Sequence, residues 1–305
     1  MVEIETILCP TDSTAESEEA LRYAVALARV YEARLMLCRC GQEAPAGDDE
    51  LMRIFEDALA PHCGMTDFAH LDWVGFEVNG DAPGVRLARE AGARRADLIV
   101  MRSRRGRYGA TLLGSTAEAV CRTAPCSVLV THPRERERVG RSAGDIELRR
   151  VLVAHDFSDR SEIALQYGAS FARRFGAELH LLHILPEPER GAPELAWVSG
   201  TAQGLYHSSV RRLLESVPGE LGCGLRPAVL TGRPYEKILS YAEEHEIDLI
   251  CLGADGVGHT RHALFGSNVD RVLRQAPCPV LVARQFKPAT AEPARPELAA
   301  AATSS

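Results

Sequence analysis

The segment LGADGVGHTRHALFGS, from Leu252 to Ser267, places four glycines between an apolar stretch and a helix-like stretch. IDLIC (residues 247–251) precedes it, and NVDRVLRQA (residues 268–276) follows it. A short apolar run is typical of a buried strand, whereas apolar residues that recur every three or four positions indicate a helix. Strand, loop and helix in this order predict an α/β fold whose loop lies at the carboxyl end of a strand, where such folds bind ligands.

The first half of the chain repeats this arrangement. EEALRYAVALARVYEARLML (Glu18–Leu37) aligns without gaps with EIALQYGASFARRFGAELHL (Glu162–Leu181), at an offset of 144 residues (162 − 18). Further on, LLGSTAEAVCRTAPCSVLV aligns with LFGSNVDRVLRQAPCPVLV, and the offset between Ser115 and Ser267 is 152 residues (267 − 115). A repeat this long exceeds a solenoid unit and indicates a duplicated domain.

Each copy has short apolar runs with helical patterns between them. Runs that are apolar at nearly every position are typical of strands buried on both faces. Alternating strands and helices imply a parallel sheet with right-handed crossovers, so we predict an α/β protein of two tandem, doubly wound, five-stranded, Rossmann-like domains. The predicted strands are residues 5–9, 34–39, 73–78, 96–101 and 127–131, then 149–154, 178–184, 225–230, 247–252 and 279–283.

Composition sets the domain limits and excludes several classes of protein. We predict domains at residues 1–132 and 149–286, a charged linker at 133–148, and a disordered Ala- and Pro-rich tail at 287–305.

The net charge of −7 argues against a nucleic-acid partner. No apolar run reaches the ~18 residues of a membrane helix. The N-terminus lacks the pattern of a signal peptide, so we expect a cytoplasmic protein with no membrane partner.

The nine cysteines do not suggest a disulfide framework, because their number is odd and most lie within apolar runs. Cys38 and Cys40 share one face of a predicted strand, since side chains alternate along a strand. Together with His62 and Cys63 they would give a zinc site an unusual spacing, so we predict no metal site.

The glycine loop has the parts of a phosphate site. Without Cβ atoms, Gly253 and Gly256 can adopt positive φ, and their N–H groups can converge on an anion. Gly266 and Ser267 open a helix whose free N–H groups favour a phosphate. Three further side chains of the loop can contact phosphate and add positive charge: His259, Arg261 and His262.

A carboxylate from another strand end completes this prediction. Asp156 follows the first strand of the second copy, where it can accept a hydrogen bond from a ribose hydroxyl. In the alternative interpretation the glycines serve only a tight connection and Ser267 only caps its helix. Asp156 can likewise cap the next helix, a task that Ser158 or Ser161 can share. Two better-known phosphate motifs are absent, because no lysine precedes Ser267 and the first-strand turns have no glycine.

The glycines and the serine of this loop give the second half a resemblance to the universal stress protein family. That family's nucleotide motif is G-x-x-G, nine residues, and then G-[ST], which Gly253, Gly256, Gly266 and Ser267 match. The ending APCPVLV (residues 276–282) is similar to the last helix and strand of the family. The resemblance implies an adenine-nucleotide-binding type of α/β fold that binds ATP or another adenine nucleotide, with which Mg²⁺ can associate.

The resemblance also implies roles for individual residues. Asp156 would meet the ribose, and Ala154 and Ile184 would line the adenine pocket. The implied nucleotide-binding set is Ala154, His155, Asp156, Ile184, Leu252, Gly253, Gly256, Gly266, Ser267 and Asn268. Tandem members of the family pair their two domains through the last strands, so the resemblance implies intramolecular pairing of the domains. A homodimer of the whole chain is a further partner arrangement that the sequence leaves open.

The first half departs from the family motif. Aligned from Met101, Arg102 and Arg105 stand where the second half has its first two glycines, and their side chains would occupy the space of a nucleotide. The arginines can instead attract a different anion. We therefore predict a degenerate site that binds nucleotide weakly or not at all, formed by Pro10, Thr11, Asp12, Gly114 and Ser115.

Three functions remain open from the sequence. The first is a stress-response regulator that binds an adenine nucleotide in the second domain, with no catalysis or very slow ATP hydrolysis. The second is a nucleotide-free structural or signalling pseudo-dimer that acts through protein contacts. The third is an enzyme on the same scaffold, for which we find no catalytic constellation in the sequence. Asp255, where the family usually has a basic residue, would repel phosphates unless it turns outward or binds a metal ion.

Overall fold

The computed structural model describes residues 2–11, 17–41, 47–63, 70–103, 113–132, 146–187, 201–217, 219, 221–254, 267–285 and 298–299. The chain divides into two compact units. The first domain comprises Glu3–Glu147 with Arg284–Ser305, and the second domain comprises Leu148–Ala283 with Met1–Val2. This assignment of the two chain ends was not apparent in the sequence, and the predicted linker at 133–148 lies mostly outside the described residues.

The first domain contains a five-stranded parallel sheet in the order β3-β2-β1-β4-β5. Its strands are β1 (Thr6–Thr11), β2 (Arg34–Gly41), β3 (Trp73–Asn79), β4 (Leu98–Arg102) and β5 (Ser127–Thr131). The helices between them are α1 (Glu18–Tyr31), α2 (Asp48–Leu59), α3 (Pro83–Ala93) and α4 (Ser115–Thr123).

The second domain repeats this topology with the order β8-β7-β6-β9-β10, again parallel throughout. Its strands are β6 (Arg150–Ala154), β7 (Glu178–Leu185), β8 (Leu225–Thr231), β9 (Leu249–Gly253) and β10 (Val280–Ala283). The described helices are α5 (Asp159–Phe175), α6 (Thr201–Ser216), α7 (Pro234–Glu244) and α8 (Ser267–Gln275). The predicted fold class is confirmed, and each of these ten strands begins and ends within two residues of its predicted limits.

The tail beyond residue 286 contains one described element. Strand β11 (Leu298–Ala299) pairs antiparallel with β3 in the first domain. Disorder of the remaining tail stays a prediction, because its other residues lie outside the described part of the chain. Among the described helices, none is both long and apolar enough to cross a membrane.

One aspartate per domain fixes the pairing of the first and fourth strands. Asp97 Oδ2 accepts two backbone N–H groups at the start of β1, each at 2.9 Å. Asp248 Oδ2 accepts the equivalent pair at the start of β6, at 2.8 and 3.0 Å. Because each carboxylate satisfies donors that precede a strand, it holds β4 beside β1 and β9 beside β6, where the strand order reverses.

Helix α5 packs directly onto β6 because one of its residues has no side chain. Gly168 is buried, and a Cβ on it would overlap Cγ2 of Val153, a strand residue with no exposed surface. Gly204 on α6 is the opposite case, since a Cβ there would meet nothing within 4 Å.

We predict opposite effects for alanine at these two helical glycines. Gly168→Ala should lower the free energy of unfolding by about 1–3 kcal/mol, because the added methyl group overpacks the contact with β6. Gly204→Ala should raise it by up to ~1 kcal/mol, because alanine has the higher helix propensity and open space surrounds it. Urea unfolding followed by circular dichroism measures both, and equal effects of the two substitutions would contradict the packing described.

Candidate functional site

A cavity of about 690 Å³ opens at the carboxyl edge of the second sheet. It lies between β6 and β9, where the strand order reverses and open α/β sheets form a ligand-binding crevice. Its volume falls within the ~300–1,000 Å³ typical of small-molecule sites. The lining residues are Ala154, His155, Asp156, Ser158, Ser161, Ile184, Pro186, Glu187, Gly232, Arg233, Pro234, Ile238, Leu252, Gly253, Asn268 and Val269.

The cavity brings together most of the residues in the implied nucleotide-binding set. Seven of them line it: Ala154, His155, Asp156, Ile184, Leu252, Gly253 and Asn268. Ser267 is the first residue of α8 and precedes the lining residue Asn268. The remaining predicted loop residues lie outside the described part of the chain; they are Asp255, Gly256, His259, Arg261, His262 and Gly266.

The turn between β6 and α5 holds the carboxylate of Asp156. Its Oδ1 accepts hydrogen bonds from the Ser158 N–H at 3.1 Å and from the Ser158 hydroxyl at 2.5 Å. Ser158 is the N-cap of α5, because its Oγ accepts from the Ser161 N–H at 3.2 Å while Ser161 Oγ accepts from the Ser158 N–H at 3.1 Å. The helix cap therefore belongs to the two serines, and Asp156 orients the first of them as well as lining the cavity.

Phe157 and two histidines hold the backbone of this turn. Phe157 has φ 63°, in the left-handed region that bulky residues rarely occupy. Its N–H donates to Nδ1 of His155 at 3.3 Å, and its ring lies 4.4 Å from the ring of His183, centroid to centroid. Nδ1 of His183 donates to the carbonyl of His155 at 2.8 Å. These contacts fix the peptide on each side of Asp156.

Burial keeps both histidines neutral at this site. It lowers the pKa of His155, a residue only 4% exposed, and it also lowers the pKa of His183. Because Nδ1 of His155 accepts a hydrogen bond, the neutral ring carries its proton on Nε2, which lies 3.5 Å from Oε2 of Glu162. This N–H is buried beside the Glu162 carboxylate, and that contact opposes the lowering of the His155 pKa by burial.

Gly253 serves a different purpose from the one predicted. It is the last residue of β9, pairs with Ala283, and is not at positive φ, so the prediction of a left-handed conformation there is wrong. A Cβ on Gly253 would lie 2.7 Å from the carbonyl carbon of Arg160 and 2.9 Å from the backbone nitrogen of Ser161. The position needs glycine because the first turn of α5 lies against the end of β9.

The first domain has a smaller cavity at the equivalent place. Its volume is about 280 Å³, just below the usual range for small-molecule sites. Four of the five residues of the predicted degenerate site line it, and Asp12 and Arg105 lie outside the described residues. The lining residues are Pro10, Thr11, Ser17, Cys40, Pro83, Met101, Arg102, Gly114, Ser115, Thr116 and Ala117.

Sequence reasoning missed one wall of the second cavity. The turn after β8 contributes Gly232, Arg233 and Pro234, and Gly232 has φ 143°, which requires glycine. A glycine shortly before a helix-starting proline also follows β3, at Gly80 and Pro83. This repeated turn was the signal in the sequence that would have located the wall.

No three His, Cys, Asp or Glu side chains gather as a metal-binding cluster among the residues that the structure places. Cys38 and Cys40 do lie together on β2, with their sulfurs 3.8 Å apart.

Comparison with known proteins gives matches over both domains. The model of the universal stress protein family matches residues 3–132 and again residues 147–284. A universal stress protein of Mycolicibacterium smegmatis is 26% identical over 304 residues, which is 91% of this chain and 96% of the relative. The universal stress protein MJ0577 of Methanocaldococcus jannaschii is 26% identical over 154 residues, 45% of this chain and 95% of the relative.

A solved structure extends the likeness to the fold. The crystal structure of a universal stress protein from Archaeoglobus fulgidus superposes with a TM-score of 0.66 at 23% identity. The superposition covers 93% of this chain and 99% of the Archaeoglobus fulgidus chain.

We predict that the buried histidines make the protein less stable in mild acid. A histidine whose pKa is lower in the folded protein than in the unfolded chain binds fewer protons when folded. The free energy of unfolding should therefore fall as the pH drops below the ordinary histidine pKa of about 6.5. His155→Gln should flatten this slope between pH 7 and 5.5, by at most ~1.4 kcal/mol per pH unit for one proton.

Urea unfolding at several pH values measures this slope. His207→Gln, at an exposed position on α6, is the matched control and should leave the slope as in the parent protein. An unchanged slope in His155→Gln would mean that protonation of this ring is not linked to folding.

Proposed function

The chain belongs to the universal stress protein family, and on that premise we propose that its second domain binds an adenine nucleotide and acts as a non-catalytic stress-response regulator. The observation that carries this proposal is the 690 Å³ cavity at the reversal of strand order, with Asp156, Gly253 and the start of α8 on its walls. Each of these three features suits a different part of a nucleotide.

Two parts of the cavity wall suit the base and the sugar of a nucleotide. Ala154, Ile184 and Leu252 present apolar surface from three strand ends, which suits a flat adenine ring. Asp156 presents a carboxylate, which accepts hydrogen bonds and so suits the ribose hydroxyls.

The start of α8 is the part of the cavity that suits the phosphates. The first backbone N–H groups of a helix have no partner within the helix and carry partial positive charge, so they favour anions. Asn268 lies in this first turn and lines the cavity. Mg²⁺ can accompany the phosphates as the ion of the nucleotide.

We propose one nucleotide per chain. The first cavity has less than half the volume of the second, 280 against 690 Å³. Arg102 lines it at the position that Gly253 occupies in the second domain. Pairing of the two domains, a homodimer and a cytoplasmic location stay predictions of the sequence.

Asp156→Asn should weaken nucleotide binding. The amide keeps an acceptor oxygen for Ser158, so the cap of α5 is retained, but the negative charge that strengthens a hydrogen bond from ribose is lost. We expect a loss of roughly 10- to 100-fold in affinity for ATP and ADP, by isothermal titration calorimetry, with about one site per chain in the parent protein. Asp159→Asn, at an exposed residue in the first turn of α5, is the control and should bind as the parent does.

The same titration decides between the proposal and its alternative. A parent protein that gives no heat and no thermal shift with millimolar ATP, ADP or AMP would leave the nucleotide-free pseudo-dimer as the function. Two equal sites per chain would contradict the assignment of a degenerate first domain. Sustained ATP hydrolysis that is lost in Asp156→Asn would replace the regulator by an enzyme.

A further inference from the structure

Two cysteines of the first domain lie in contact on one strand. Cys38 and Cys40 are both on β2, and their sulfurs are 3.8 Å apart. Cys38 has no exposed surface, whereas Cys40 is half-buried and lines the 280 Å³ cavity. One thiol is therefore accessible from the cavity, and the other lies directly behind it.

The buried thiol of Cys38 ionises less readily than an exposed cysteine. Burial raises the pKa of Cys38 well above its ordinary range, and the hydrogen bond with Cys40 raises it further. Cys38 therefore keeps its proton and can donate its S–H to the sulfur of Cys40. A thiolate is stabilised by such a donor, and the thiolate is the form of cysteine that reacts with oxidants.

We propose that Cys40 and Cys38 are a modification site at which a small hydroperoxide forms a reversible disulfide within β2. The Cys40 thiolate attacks the terminal OH oxygen of the hydroperoxide, the O–O bond breaks, and Cys40 becomes a sulfenic acid while hydroxide (or an alkoxide, from an alkyl hydroperoxide) leaves and takes up a proton from water. The sulfur of Cys38 then attacks that of Cys40, so the S–S bond forms, the S–O bond breaks, and water leaves with the Cys38 proton. Two thiols are oxidised by two electrons, and one hydroperoxide is reduced.

The strand geometry strains this bond and makes it easy to reduce. Residues two apart on a strand have Cα atoms about 6.6 Å apart, twice the ~3.3 Å rise, and their Cβ atoms, on the same face, are about as far apart. A disulfide needs Cβ atoms ~3.5–4.5 Å apart, so closing the bond draws the two Cβ atoms together and bends β2 at Arg39. A disulfide that deforms its strand is strained, and strained disulfides are reduced readily by dithiols.

The second domain does not carry this site. At the equivalent positions of β7 it has Leu182 and Ile184, and Ile184 lines the larger cavity. The smaller cavity therefore has a thiol where its counterpart has an apolar wall, and a guanidinium, Arg102, where its counterpart has glycine. The proposal is independent of nucleotide binding, because it concerns the other domain.

The other cysteines provide a control within the same chain. Seven of the nine cysteines are buried, and the other two, Cys40 and Cys223, are half-buried. Burial raises the pKa of Cys223, which lies in the turn before β8 in the second domain. Cys223 thus reports the reactivity of a half-buried cysteine outside the proposed pair.

The test uses the full chain, reduced and then exposed to hydrogen peroxide for increasing times before alkylation with N-ethylmaleimide. Arg39 separates the two cysteines, so trypsin releases residues 35–39 and 40–53 as separate peptides from the reduced protein. A disulfide joins these two peptides, with the loss of two hydrogens, which mass spectrometry detects. We expect the joined pair to form at least ~10-fold faster than oxidation of Cys223 and to disappear with dithiothreitol.

Two variants identify the role of each sulfur. Cys38→Ser should leave a Cys40 sulfenic acid that dimedone traps, and Cys40→Ser should leave Cys38 unoxidised because it is buried. If circular dichroism shows that either variant folds poorly, the oxidation time course of the parent protein still tests the proposal. The proposal is overturned if that course shows no joined peptides, or if Cys40 is oxidised no faster than Cys223.

Discussion

The close approach of α5 to the end of β9 is the contact on which the second cavity depends. A single glycine, Gly253, permits it, because any Cβ there would meet the backbone of Arg160 and Ser161. The approach places the cap of α5, made by Ser158 and Ser161, on the wall of the cavity. It also fixes where the preceding turn must run, and that turn carries Asp156.

That turn concentrates strain and burial in three consecutive residues. Phe157 is in a left-handed conformation, and the ring of His155 is buried beside the Glu162 carboxylate. Each feature costs free energy, and a fold retains such features where surrounding contacts over-determine them. Here the surrounding contacts come from His183, and from Arg212, whose guanidinium lies 4.0 Å from the centre of the Phe157 ring. The contacts hold the carboxylate of Asp156 at one position on the cavity wall, as a ligand site requires.

The two domains show how one fold can carry two different pockets. Strand order and the Asp97 and Asp248 clamps are the same in both, so the backbones form a crevice at the same place. What differs is the side chains that enter the crevice. Arg102 replaces Gly253, and Cys40 replaces Ile184, which makes the first pocket smaller and gives it a thiol. The fold thus fixes the position of a pocket, and a few strand-end residues fix its chemistry.

The sequence by itself determined the duplication, the ten strands and the strand ends that meet, because apolar periodicity and a long repeat are local signals that the fold preserves. It also indicated Asp156 and the loop that begins at Gly253 as neighbours, since the carboxyl ends of parallel strands share one edge, whereas Leu252 and Asn268 followed from the family resemblance. Only the tertiary structure decided why residue 253 is glycine, which turn forms the wall at Gly232, and that the sulfurs of Cys38 and Cys40 touch beside a cavity. These depend on how closely one element approaches another, and spacing along the chain does not encode that distance.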